Sequence, residues 1–213
     1  MPRDKISCLW HLKVKLLLQE WRRVWAALMN ECEQAVSILV NSFEDDPFFR
    51  WVNSNVFERR QLLRTLSRMA VGAASFNDFL EVDEMGVLIY EPPSSTLFTG
   101  ELSEEWKRAI RAAFQGPVEF LDRYNAAMST TLPSKVPFWY LKYLAVPNQI
   151  RGQGIGSALL SKFLNRIDRT SQSLFLHTAN PSTLKFYGRF GFLIRNEFIC
   201  EGGGPTVYTL QRR

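Results

Sequence analysis

The sequence predicts a mixed α/β fold, in one domain (24–213) that follows a short N-terminal extension (1–23). Three observations carry the prediction. Phe138–Val146 is a nearly continuous apolar and aromatic run, as expected of a strand covered on both faces. A glycine-rich loop follows and opens into an amphipathic helix. Strand, helix, strand and strand then complete the chain, which calls for a parallel crossover joining 138–146 to 173–178 and helices on both faces of the sheet.

The elements are justified in chain order. Residues 5–21 read KISCLWHLKVKLLLQEW, with Ile6, Leu9, Trp10, Lys13, Leu16, Leu17 and Trp21 at helical spacing and basic residues between them. Lys13 and Lys15 make the run too short and too charged for a membrane span, and no signal-peptide core with a small-residue cleavage site is present. An amphipathic helix packed on the domain or on a partner chain is expected; contact with a membrane surface is the alternative. Val24–Leu28 reads as a weak strand. Asn30 with Glu33 is a helix-start signal, followed by Ala35, Ile38, Leu39 and Phe43 on one face, and Asp45-Asp46-Pro47 as the stop. Residues 56–74 form a second helix. Phe79–Val82 and Gly86–Tyr90 read as a hairpin turning at Asp83-Glu84 and stopped by Pro92-Pro93. Residues 103–128 hold one or two helices broken at Gly116-Pro117. After the 138–146 strand, Ile155, Leu159, Leu160, Phe163, Leu164 and Ile167 share one helix face. Ser173–Thr178 is a buried strand, and Asn180-Pro181 opens a helix with Pro in its first turn. Phe192–Ile199 and Thr206–Leu210 are the last strands, separated by Gly202-Gly-Gly-Pro205.

Composition narrows the function. The 213 residues carry 26 Lys and Arg against 21 Asp and Glu, a net charge of +5. That suits an anionic small molecule, whereas nucleic-acid binding wants a clustered basic face and a reading motif, and neither is present. Cys8, Cys32 and Cys200 have no metal-ligand spacing with each other or with His11 and His177. No metal or disulfide framework is expected, and a reducing cytoplasm is the expected compartment.

The loop Arg151-Gly152-Gln153-Gly154-Ile155-Gly156 carries the chemistry. Placed between a buried strand and a helix, it presents backbone N–H groups at a helix N-terminus, where the helix dipole favours an anion. Its glycines remove side chains that would hold an anion away, and Arg151 adds a charge and several donors. The P-loop spacing is not met, because no Lys-Ser or Lys-Thr pair follows. The dinucleotide fingerprint is not met either: from Gly152 the third glycine would fall at Ser157.

Arg151-x-x-Gly154-x-Gly156 resembles the R/Q-x-x-G-x-G/A signature of the GNAT acyltransferases. Leu144-Ala145-Val146 stands before it as the family's fourth strand does, and Asn180 with Tyr187 and the following Gly191-Phe192 is similar to the family's N-x(6)-Y motif. Asn41–Val52, Val87–Pro93, Pro137–Leu141 and Gly203–Tyr208 resemble the puromycin N-acetyltransferase-like branch. The resemblance implies a mostly antiparallel sheet with one parallel pair splayed around a CoA site, and acetyl-CoA as cosubstrate. It implies a cofactor-binding set of Leu144, Ala145, Val146, Arg151, Gly152, Gln153, Gly154, Ile155, Gly156, Ser157, Asn180 and Tyr187. The strand backbone would bond the pantetheine arm and Tyr187 would act as general acid toward the CoA sulfur.

Acyl transfer to an amine needs a neutral amine, a stabilised oxyanion and a protonated leaving thiolate. Backbone N–H groups near Leu144–Val146 suit the oxyanion. A phenol at Tyr187, with an ordinary pKa of about 10, suits the thiolate. The branch shows Leu-Glu-Thr-Ser where this chain has Leu176-His177-Thr178-Ala179, so His177 is the candidate base; Glu119, Asp122 and Tyr140 are alternatives. The resemblance implies that Asp45, Asp46 and Arg50 lie in the loop region where the acceptor pocket is built; the alternative is a helix end followed by Pro47, which needs no such role. The expected reaction is acetyl transfer to a primary amine of a small molecule by direct attack in a ternary complex. The rivals are a CoA-binding module without turnover and a protein N-acetyltransferase. Homodimerisation is left open.

Overall fold

The computed structural model describes residues 29–77, 80–83, 85–93, 107–108, 111–112, 130–133 and 136–213. The chain is helical over 29–43 (α1), then forms α2 (Pro47–Val52), α3 (Val56–Phe76), β1 (Leu80–Asp83), β2 (Gly86–Glu91) and β3 (Trp139–Ala145). A 3-10 turn (Asn148–Ile150) leads to α4 (Ile155–Ile167), β4 (Leu174–Thr178), a second 3-10 turn (Pro181–Thr183), α5 (Leu184–Gly188), β5 (Leu193–Ile199) and β6 (Thr206–Arg212). The expected helix 5–21, strand 24–28 and helices 103–128 lie outside the described residues, apart from 107–108 and 111–112, which are helical.

The six strands form one mixed sheet in the order β1-β2-β3-β4-β6-β5. Every neighbouring pair is antiparallel except β3 and β4. That pair is short: Trp139 faces Leu174, Tyr140 faces Phe175, and there the pairing stops although β3 continues to Ala145. Beyond Tyr140 the two strands splay, and the β4-facing edge of β3 keeps backbone groups with no strand partner.

The edge strand β5 is exposed, whereas both faces of the sheet are covered over β2 and β3. On one, Leu159, Leu160, Phe163, Leu164 and Ile167 of α4 pack on Leu88, Tyr90, Leu141, Leu174, Leu176 and Leu210. The helical spacing read from the sequence is this contact stripe. On the other face, Ala35, Val36, Leu39 and Val40 of α1 and Leu63, Ala70 and Val71 of α3 cover Val87, Ile89 and Ala145. Each fully buried aliphatic side chain contributes roughly 1.5–3 kcal/mol relative to exposure. Arg166 ties α4 to the sheet edge through Glu81 and the Tyr90 hydroxyl.

Three local details differ from the sequence reading. Residues 29 and 30 are already helical, so Asn30 lies inside α1 and does not cap it. The Asp45-Asp46-Pro47 stop is also a start: the Asp46 carboxylate accepts from the Phe48 N–H at 2.9 Å and caps α2, with Pro47 in the first turn where its missing N–H costs nothing. The helix after Asn180 divides into a 3-10 turn and the five-residue α5.

Candidate active site

The glycine loop sits at the end of β3, on the splayed side. Gly152 (φ +84°) and Gly154 (φ +87°) hold left-handed backbone, which glycine adopts without the Cβ penalty other residues meet. Gly154 is the N-cap of α4 and supplies no side-chain cap, so the first-turn N–H groups of α4 are available to an anion. A Cβ built at Gly152 or Gly154 would meet nothing within 4 Å, so the loop opens on space. Gly156 lies against Val146 and Phe186. Gln153 is exposed, Ile155 is buried in the core, and Ser157 is half-buried on the first turn of α4.

Arg151 is placed differently from a simple anion ligand. Its Nε donates to the Val146 carbonyl at 3.0 Å and its Nη2 to the Ser42 carbonyl at 2.9 Å. It thereby fastens the loop to the ends of β3 and α1 while leaving its charge at the rim. The Asn180 Oδ1 accepts from the Ser182 N–H (3.1 Å) and hydroxyl (2.7 Å), capping the 3-10 turn. Its NH2 group makes no hydrogen bond among the described residues. Tyr187, on α5, packs its ring on Phe186 and Phe192. Burial pushes its hydroxyl above the ordinary phenol range, so it stays protonated at working pH.

The opposite side of the gap is built from residues on the α1–α3 face. His177 alternates with Leu176 on β4 and so points away from α4. Its Nε2 lies 2.9 Å from Thr131 Oγ1 and its Nδ1 lies 3.0 Å from the Tyr140 hydroxyl. Thr209, fully buried on β6, donates to Thr131 at 2.8 Å. Burial holds protonation of His177 down to about 3, so the ring is neutral throughout the physiological range. Tyr140 is also pushed well above the ordinary phenol range, by burial first and then by the charges of Glu91, Tyr143 and Tyr187.

Glu91 is the residue that sequence reasoning missed. It ends β2 opposite Tyr140, is 4% exposed, and receives Lys142 Nζ on Oε1 at 2.7 Å. Among the described residues its Oε2 has no hydrogen-bond partner. The β2–β3 register slips here: Ile89 pairs with Tyr143 and Tyr90 with Leu141, so Lys142 is the extra residue of a bulge. The available signal was one acidic residue closing the otherwise apolar strand Gly86–Tyr90. Phe43, Phe49 and Phe48 pack edge-on in series, with Trp51 tilted on Phe48 and Phe43 5.6 Å from Tyr143.

Asp46 lies near Arg151 and is half-buried. Burial raises its carboxyl to about 6, against the Phe48 and Phe49 N–H groups and Arg151, which lower it. Asp45 and Arg50 are exposed at the ends of the same short segment. Glu119 and Asp122 lie outside the described residues. Among the described residues, no group of three or more His, Cys, Asp or Glu could hold a metal ion, and no helix is long and apolar enough to cross a membrane.

Residues 115–193, which span β3, the glycine loop, α4, β4, Asn180 and Tyr187, match the acetyltransferase (GNAT) domain family. Over those residues the chain is similar to a GNAT acetyltransferase domain. Its fold is that of a crystal structure of histone acetyltransferase HPA2 and related acetyltransferase from Corynebacterium glutamicum. The TM-score is 0.59 at 20% identity, covering 85% of this chain and 90% of that one. It is equally similar to the polyamine N-acetyltransferase of Drosophila melanogaster, an enzyme that forms N-acetylagmatine. There the TM-score is 0.59 at 15% identity, covering 86% and 95% of the two chains.

Proposed function

We propose that the protein transfers an acetyl group from acetyl-CoA to a primary amine of a small molecule, by direct attack in a ternary complex. One observation supports it above the others. The parallel pairing of β3 and β4 stops at Tyr140, and the edge of β3 so freed leads through the glycine loop to the N-terminus of α4, which has no side-chain cap. Gly152, Gly154 and Gly156 let a pyrophosphate approach the α4 N–H groups, and the open space above the first two fits that role. The unpaired edge of β3 from Leu141 to Ala145, running on to Val146, offers N–H and C=O groups to an extended pantetheine arm, in the manner of an added strand. Acetyl-CoA brings an activated acyl group and a thiol leaving group.

The chain's own groups divide the work. N–H groups of the β3 edge stabilise negative charge on the acyl oxygen in a site screened from water. Tyr187 stays protonated and donates a hydrogen bond to the departing sulfur. Its raised pKa makes the bond itself, rather than early proton transfer, its main contribution, and the proton that the amine nitrogen loses on acylation ends on the CoA sulfur. Asn180 keeps its NH2 for the cofactor arm while its oxygen holds the turn. The buried aromatic and polar acceptor side, with Tyr140 and Glu91 at its floor, favours a compact amine over an extended protein tail. The test is thiol release from acetyl-CoA across agmatine, spermidine, tyramine, an aminoglycoside and a short peptide. Turnover confined to the peptide would overturn the small-amine reading, and acetyl-CoA binding with no turnover on any acceptor would favour a binding module.

A further inference from the structure

Arg151 commits its guanidinium to the protein's own backbone. Its Nε donates to the Val146 carbonyl at 3.0 Å and its Nη2 to the Ser42 carbonyl at 2.9 Å, 109 residues away in sequence. Ser42 lies in the last turn of α1, where carbonyls have no intrahelical partner and the helix dipole favours a cation. The next two carbonyls along the chain are also taken. Phe43 O receives the Asp46 N–H at 3.1 Å, and Glu44 O receives Arg59 Nε at 2.6 Å. Arg59 donates to the Asn53 and Ser54 carbonyls as well, so it fixes the elbow between α1 and α2 to α3. Arg151 fixes the same elbow to the glycine loop.

The elbow reaches both strands of the splayed pair. Phe43, at its start, packs edge-on against Tyr143 of β3 with ring centroids 5.6 Å apart. Phe48, on α2, packs against Ala179, which follows β4 and precedes Asn180. Residues 43–48 therefore touch β3 beyond its last pair with β4, and the chain just after β4. Val146, the other carbonyl that Arg151 holds, directly follows the freed edge of β3. One planar guanidinium, with donors in a fixed fork, thus joins the end of that edge, the entry to the glycine loop and the α1–α2 elbow.

We propose that Arg151 is a positioning residue that joins the cofactor loop to the α1–α2 elbow, and that through this joint it sets the KM of the acceptor amine as well as that of acetyl-CoA, without contacting the phosphates. The inference rests on the acyltransferase reading. A residue that bound phosphate directly would act on acetyl-CoA alone.

The test uses the full chain, acetyl-CoA and the amine of the panel above that the wild type turns over fastest. Arg151→Gln should raise KM for acetyl-CoA about tenfold and KM for the amine about threefold or more, with a smaller change in kcat. Arg151→Lys should behave like the Gln variant. It keeps the charge, but a single ammonium does not reproduce the fork that spans two carbonyls. A phosphate ligand predicts the reverse: Arg151→Lys close to wild type, and an amine KM that neither variant moves. Either of those results overturns the proposal. Thermal melts check that both variants fold. A crystal structure of the wild type with CoA needs no variant: Arg151 should keep both carbonyl bonds, and a guanidinium turned onto the pyrophosphate overturns the proposal. A wild type that releases no thiol with any amine overturns the acyltransferase reading itself, and this inference with it.

Discussion

Gly154→Ala isolates the loop. At φ +87° an alanine must hold left-handed backbone, which costs roughly 1–2 kcal/mol. Nothing lies within 4 Å of the new Cβ, so no steric term adds to it. At about 2–4 °C per kcal/mol for a chain of this size, the melting temperature should fall by about 2–8 °C with the fold intact. The added methyl projects beside the first-turn N–H groups of α4, where the pyrophosphate is proposed to bind. Losing one hydrogen bond to a charged group costs about 1.5–3 kcal/mol, or roughly a 10- to 150-fold weaker Kd. Calorimetric titration with CoA, alongside thermal melts with and without CoA, reads both effects. Gly72→Ala is the control: it lies exposed inside α3, its Cβ meets nothing, and helix propensity should raise stability by about 1 kcal/mol with CoA affinity unchanged. CoA affinity equal to wild type in Gly154→Ala, at a lowered melting temperature, would refute the loop assignment. An unchanged melting temperature would refute the backbone argument.

Tyr187→Phe should lower kcat about 100-fold or more and leave the CoA Kd within about threefold; steady-state rates and a CoA titration check it, and equal turnover removes the residue from the chemistry. Gly204→Ala should destabilise by about 1–3 kcal/mol, because its Cβ would lie 2.5 Å from Cys200 Cβ and 2.6 Å from the Trp51 ring; a melt at wild-type temperature would show that α2 and the 200–205 turn can separate freely. The Asp46 carboxyl, raised to about 6 from 3.8, binds its proton more tightly in the folded state. Folding stability should therefore rise as pH falls from about 6 toward 4, by up to about 3 kcal/mol in all, and stay level above 6 as far as this group is concerned. Asp46→Asn keeps a capping oxygen and should flatten this slope in urea unfolding curves measured from pH 4 to 7. An identical slope in wild type and variant would assign the burden to another group.

Much of the fold was legible because its signals are local. The α4 stripe, the hairpin, the hydrophobic run at 138–146 and the final strands lie within a residue or two of their expected positions, since burial on one face imposes a period that the side chains display. The capping role of Asp46 was less legible. Asp45-Asp46-Pro47 can close one helix or open another, and the outcome depends on whether the next apolar residue, Phe48, finds a core; it does, against Ala179, Cys200 and Val207. The acceptor side was least legible. Glu91, Lys142, Tyr140, Thr131, His177 and Thr209 come from five stretches between residues 91 and 209, and no spacing links them.

The glycine loop, proposed as the donor side, follows from local sequence. A strand, a loop with glycines at 152, 154 and 156, and a helix must place N–H groups and freedom from side chains together, because all three are properties of consecutive backbone. Tertiary structure alone decided the acceptor side. The pairing of β3 with β4 for two residues only, the bulge at Lys142 and the hydrogen bonds of His177 with Thr131 and Tyr140 arise when distant strands meet. Hydrogen-bond direction and burial are properties of that meeting. The same histidine that reads in sequence as a base near neutral pH is, buried between Thr131 and Tyr140, a ring that stays neutral across the physiological range.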